Sequence, residues 1–138
     1  MPLDLTSFGK AVAALRLSEA EASPRLAELA PALREAIRAG IIQQFEVAYE
    51  QSWKTMKRWL EDNVGAEAVD GVSRRELFRQ AAESRLIDDV DAWMHFHRAR
   101  NETSHTYSSE TAEEVYVIAL AFLPYAEALL VSLRQRNT

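Results

Sequence analysis

Apolar residues recur along this chain at spacings of three and four, the period that lines one face of an α-helix. From Leu3 to Ala20 the row is Leu5, Phe8, Val12 and Leu15, with Glu19 continuing it. Ser23-Pro24 breaks the pattern, with Ser placed as a cap and Pro at a first helical position. Pro31 begins a further helix for the same reason. From there to about Asn63 the one strong breaker is Gly40, and Ile37, Ile41, Phe45, Ala48, Ser52, Met56 and Leu60 form a single stripe. Trp53 and Trp59 sit at its edges. This predicts a helix of roughly 30 residues, longer than the globular average, stopped near Gly65.

Ser73 to Arg85 reads as a short helix opened by a Ser73/Glu76 capping box, with Leu77, Ala81 and Ala82 facing inward. Asp88 or Asp89 caps the next helix, which carries Val90, Trp93, Met94 and Phe96 and runs into Arg98-Ala-Arg-Asn101. Thr103 to Ser109 is poor in helix formers and bends or breaks it. Ser109 opens the last helix, with Glu110, Glu113 and Glu114 near its positive end and Arg134 and Arg136 near its negative end. Its apolar face is Val115, Ile118, Ala119, Phe122, Ala126, Leu129 and Leu133, with Pro124 a candidate kink. No alternating strand pattern survives. The expected fold is all-α: an antiparallel four- to five-helix up-and-down bundle with one long central helix, forming a single domain over residues 1–138.

Composition changes this picture little. Hydrophobic residues at 48% and charged residues at 27% indicate a globular chain rather than a disordered one. The absence of Cys removes disulfides, thiol nucleophiles and Cys-based zinc sites, and fits a reducing compartment. The N-terminus lacks the basic start and apolar run of a signal peptide. Nothing approaches the roughly 18 unbroken apolar residues of a membrane span. The expectation is a soluble, cytoplasmic protein that does not contact membrane. A net charge of -5 means that any contact with RNA needs a local positive site; it also suits a basic partner.

The polar segment Arg98 to Tyr107 carries the most chemistry, placing Arg100, Asn101, His105 and Tyr107 within a few residues. Arg offers a fixed fork of donors that fits phosphate oxygens. His exchanges a proton near neutral pH. Together they suit phosphodiester chemistry, although a cap and turn, with Arg100 paired to Glu102 or another acid, would use the same residues. Glu46 and Glu50, one turn apart, read first as a structural or solvated pair screened by Lys54 and Lys57. Acid/base work or metal holding are the other readings. Glu50 and Lys54 are also a favourable (i, i+4) pair. His95 and His97 lie two apart and so point away from each other, which argues against a metal site with His105. Trp53 and Trp93 read as core, and Trp59 is left open.

Arg100-Asn-Glu-Thr-Ser-His105-Thr-Tyr107 resembles the HEPN signature, an Arg and a His separated by four to six residues, in its extended form with a Tyr two residues after the His. Ile42-Gln-Gln-Phe45-Glu46 followed by Tyr49-Glu50-Gln-Ser-Trp53-Lys54 resembles the long-helix motif of the nucleotidyltransferase substrate-binding protein family. Ala81 to Trp93 is similar to the same family's pattern. The resemblance runs from about Ile41 to the C-terminus; the segment before it matches in general helical character.

The resemblance implies a helical bundle that forms a homodimer and pairs with a minimal nucleotidyltransferase, as a heterotetramer or larger assembly. It implies the HEPN half of a toxin–antitoxin pair, a metal-independent endoribonuclease needing no cofactor. Arg100 and His105 become the catalytic residues, Asn101 a supporting group for RNA or nucleotide, and Tyr107 a second such group and a site for AMP modification. Phe45, Glu46, Glu50, Trp53 and Lys54 become the long-helix motif. The alternative it leaves open is a non-catalytic subunit that presents nucleotide or substrate to the nucleotidyltransferase.

Overall fold

A computed structural model of the protein describes residues 2–105 and 108–137. All regular structure in those residues is helical: α1 (Thr6–Glu21), a 3₁₀ segment (Ser23–Glu28), α2 (Pro31–Asn63), the one-turn α3 (Ala66–Val69), α4 (Arg74–Glu83), α5 (Val90–Glu102), a 3₁₀ turn (Thr103–His105) and α6 (Ser109–Arg136). The expected bundle is present. The one-turn α3 and the 3₁₀ segments are additions that periodicity cannot show, because each is too short to repeat.

The long helix forms as its stripe predicts. Ile41, Phe45, Ala48, Ser52, Met56 and Leu60 are all buried along α2. Its backbone stops where Gly65 takes φ 137°, a left-handed value that an L side chain resists. Ser73 caps α4 by accepting from the Glu76 N–H at 3.1 Å. The reciprocal half of the expected capping box is not made: the Glu76 carboxylate turns to Arg79 instead. Asp89 caps α5 through the Ala92 N–H at 3.0 Å, which settles the choice between Asp88 and Asp89. Ser108, one residue before the expected opening, caps α6. Ser23 does not cap: its hydroxyl bonds the Tyr116 hydroxyl and ties the 3₁₀ segment to α6.

The core lies where α2, α5 and α6 meet. Phe122 of α6 is fully buried, with ring centroids 5.3 Å from Phe45, 5.4 Å from Trp93 and 5.1 Å from Phe96. By length and composition alone α6 could cross a membrane, which the sequence reading passed over. In the bundle its apolar side is spent on the core, with Val115, Ala119, Phe122, Ala126, Leu129 and Leu133 all buried. The helix runs uninterrupted through Pro124. The two ends of the chain are tied together: Leu3 N–H donates to the Asn137 side-chain oxygen at 2.7 Å, and the Asn137 amide donates to the Leu3 carbonyl at 2.9 Å.

Candidate functional site

The middle of α2 and the C-terminal turn of α5 place a set of polar side chains on the rim of that core. Tyr49 follows Ala48 and precedes Ser52 on the buried side of α2, so its ring packs against Phe45 and Phe122 while its hydroxyl reaches the rim. Glu46 and Glu50 flank it, half-buried, on the side of α2 turned toward α5. Arg100 comes from the last turn of α5, just after buried Ala99.

Arg100 is clamped. One guanidinium nitrogen lies 3.6 Å from Glu46, and its Nε lies 3.3 Å from Glu50. The Nε is shut away from water yet not aligned for a hydrogen bond, so Glu50 holds it by charge. The guanidinium also donates to the Thr103 hydroxyl at 3.1 Å, and that hydroxyl donates to the Arg100 carbonyl at 2.7 Å. The last turn of α5 therefore fixes the arginine that projects from it. Side-chain exposures of 29% for Arg100, 32% for Glu46 and 33% for Glu50 leave the cluster open to a ligand.

Several sequence expectations change here. Of the readings open for Glu46 and Glu50, the solvated pair screened by lysines falls and the structural one fits: they hold Arg100. Among the described residues Glu50 forms no ion pair with Lys54, because its second oxygen accepts from the Trp53 indole at 3.2 Å. The acid that pairs with Arg100 is also not the nearby Glu102. Trp53 is only partly buried and is not a core residue like Trp93. Its ring faces Arg74 of α4, whose guanidinium carbon lies 3.6 Å from the ring centroid, and Lys54 lies 5.8 Å from the same centroid. Phe45, from the same motif, is fully buried.

Sequence reasoning did not place Tyr49, His97 or Arg74 in this cluster, although Tyr49 lies in the long-helix motif. Tyr49 hydrogen-bonds His97 Nδ1 at 2.8 Å through its hydroxyl, and the Arg74 guanidinium donates to that hydroxyl at 3.4 Å. Burial pushes the Tyr49 hydroxyl well above its ordinary value, against the opposing charge of Arg74. Burial, with the charge of Arg74 next, pulls His97 below the usual histidine range. One signal was available: Tyr49 and Trp53 are four apart, hence on one face, but nothing in the sequence points to Arg74.

His105 is exposed at the end of the 3₁₀ turn that follows α5. Asn101 is exposed, and its carbonyl accepts from the Ser104 hydroxyl at 3.2 Å. Tyr107 lies outside the described residues. Among the described residues no group of three His, Asp or Glu side chains is arranged to hold a metal ion.

An all-α bundle with this Arg-and-His segment at a helix end, its arginine clamped by carboxylates of the long helix, is a domain of the HEPN class. The chain belongs to the family described as nucleotidyltransferase substrate binding protein like, which matches residues 3–135. It is 39% identical over 106 residues to a Haemophilus influenzae protein described as probable ribonuclease HepT, covering 76% of this chain and 73% of that one. A solved Haemophilus influenzae structure, described as the fold of a substrate binding domain of a nucleotidyltransferase, superposes with a TM-score of 0.91 at 32% identity, over 96% of this chain and 100% of that one. A Thermus thermophilus structure superposes with a TM-score of 0.70 at 26% identity, over 92% and 98%.

Proposed function

We propose that this protein is a metal-independent endoribonuclease, the HEPN toxin half of a pair completed by a minimal nucleotidyltransferase, and that it works as a homodimer. The observation that carries this reading is the division at the end of α5: Arg100 is fixed by Glu46, Glu50 and Thr103, while His105 stands exposed just beyond. The resemblance of the relative described as a ribonuclease supports it.

In this mechanism His105 takes the proton of a ribose 2′-OH. The 2′-oxygen attacks the adjacent phosphorus, and the bond from phosphorus to the 5′-oxygen breaks. Arg100 stabilises the charge on the phosphoryl oxygens. A proton from His105 of the second copy goes to the leaving 5′-oxygen. The products are a 2′,3′-cyclic phosphate and a 5′-hydroxyl. AMP added to Tyr107 by the nucleotidyltransferase silences the site, because it brings negative charge and bulk where RNA binds.

The test is RNA cleavage by purified protein in EDTA. Cleavage that ends in cyclic phosphate and disappears with His105→Ala supports the reading. Intact RNA together with tight binding of ATP favours the alternative, a subunit that presents nucleotide or substrate to the nucleotidyltransferase.

A further inference from the structure

Arg74 and Arg100 reach the same rim from different helices and are held in opposite ways. Arg100 faces two carboxylates, so its single charge is more than compensated. Arg74, the first residue of α4, is held by uncharged groups. Its guanidinium carbon lies over the Trp53 ring, 3.6 Å from the centroid, and one of its nitrogens donates at 3.4 Å to the Tyr49 hydroxyl. Among the described residues it has no carboxylate within ion-pair distance. A stacked guanidinium is fixed in direction without being neutralised. Its remaining donors are therefore pre-aimed, and half-burial leaves them reachable. The charge of Arg74, and to a lesser degree that of Arg100, bears on the Tyr49 hydroxyl. Trp53 couples them physically, since its face carries Arg74 while its N–H holds Glu50, the partner of Arg100.

We infer that Arg74, mounted on Trp53 and Tyr49, is a second phosphate-binding residue of this site, one that holds a phosphate of the RNA strand neighbouring the phosphate at Arg100. This rests on the part of the proposed function that has RNA bound at Arg100. A strand presents a row of singly charged phosphates, and one compensated arginine gripping one of them fixes little of its direction. A second, uncompensated fork sets the strand's path. It also supplies the local positive charge that a chain of net charge -5 needs. Arg74 is a binding and positioning residue, not one that touches the reacting atoms.

The experiment measures binding of a short fluorescein-labelled single-stranded RNA across a salt series. It uses full-length His105→Ala protein, which leaves the strand intact, with and without Arg74→Gln or Arg74→Lys. Arg74→Gln is expected to raise Kd about tenfold and to flatten the slope of log K against log salt by about 0.7, the mark of one lost phosphate contact to a single strand. Arg74→Lys keeps the slope. In protein that retains His105, Arg74→Gln raises KM and leaves kcat nearly unchanged. An unchanged Kd, a weaker Kd with an unchanged slope, or no RNA binding by the parent overturns the inference. If Arg74→Gln does not fold, Arg74→Lys decides: it loses the guanidinium fork, so Kd rises severalfold, and an unchanged Kd overturns the idea. Arg74-dependent binding without cleavage sinks the nuclease reading and leaves this inference standing. Cleavage with binding indifferent to Arg74 does the reverse.

Discussion

Around Phe122, four aromatic rings from α2 and α5 close on the ring of α6, and all five are buried. Around Arg100, the same stretch of α2 meets the same α5, yet the contacts are ion pairs with about a third of each side chain exposed. Tyr49 belongs to both regions, ring in one and hydroxyl in the other. The difference lies in what each region can lose. The aromatic knot is held by shape, so a missing ring leaves a cavity. The charged rim is held by ion pairs between partly exposed side chains, so a missing charge costs little stability and mostly removes chemistry.

The largest break comes from the knot. Phe122→Ala is expected to destabilise the fold by about 3–5 kcal/mol, a large share of the total stability of a domain this size. Urea unfolding checks it, and a loss below about 1 kcal/mol would mean the knot repacks. Next comes the rim, on the nuclease reading. His105→Ala is expected to cut the RNA cleavage rate by about 10²–10⁴, and Arg100→Ala by about 10²–10³, with melting temperatures close to wild type. A large drop in melting temperature with either variant would make the segment a structural turn instead.

The aromatic knot was largely legible in the sequence. Phe45, Trp93, Phe96 and Phe122 all fall on helical stripes, and a stripe reports burial whatever it packs against. The rim was half legible. Arg100 and His105 stand out because the segment around them is polar and local. Their supports do not, because Glu46 and Glu50 come from a helix far along the chain. Their nearest visible partner in sequence, Lys54 at four residues from Glu50, suggested a local pair that the fold replaces with Arg100. Trp53 looked like core because a large ring at a stripe's edge usually is. Only α4 packing beside α2 turns that ring into a platform for Arg74.

A smaller effect separates support from chemistry inside the rim. Glu50→Gln removes the charge that holds the Arg100 Nε and keeps the shape. Stability should change by about 1 kcal/mol or less, since the pair is a third exposed. The cleavage rate should fall between tenfold and a hundredfold, because a guanidinium free to swing is misplaced for the phosphate. Stopped-time cleavage assays beside a melting curve read both. A rate equal to wild type would show that Thr103 and Glu46 suffice to aim the arginine.

The smallest effect tests the seam between the two regions, at the Tyr49 hydroxyl and His97. Burial lowers the His97 pKa below its ordinary value of 6.5, with the charges of Arg74, Arg98 and Arg100 pushing the same way against Glu50. In the unfolded chain the imidazole titrates near 6.5. Between the folded and unfolded values the unfolded state binds more protons, so stability falls as pH drops through that window. The contribution is fully present above the unfolded value and is lost toward the folded one. His97→Gln keeps a polar partner for Tyr49 and removes the titration. From about pH 7 to pH 5, its melting temperature should fall less than that of the wild type. The exposed carboxylates and the other two histidines are common to both proteins and cancel in the difference. Parallel curves would show that His97 takes up its proton as readily in the folded protein as in the unfolded chain, and that its bond to Tyr49 survives protonation.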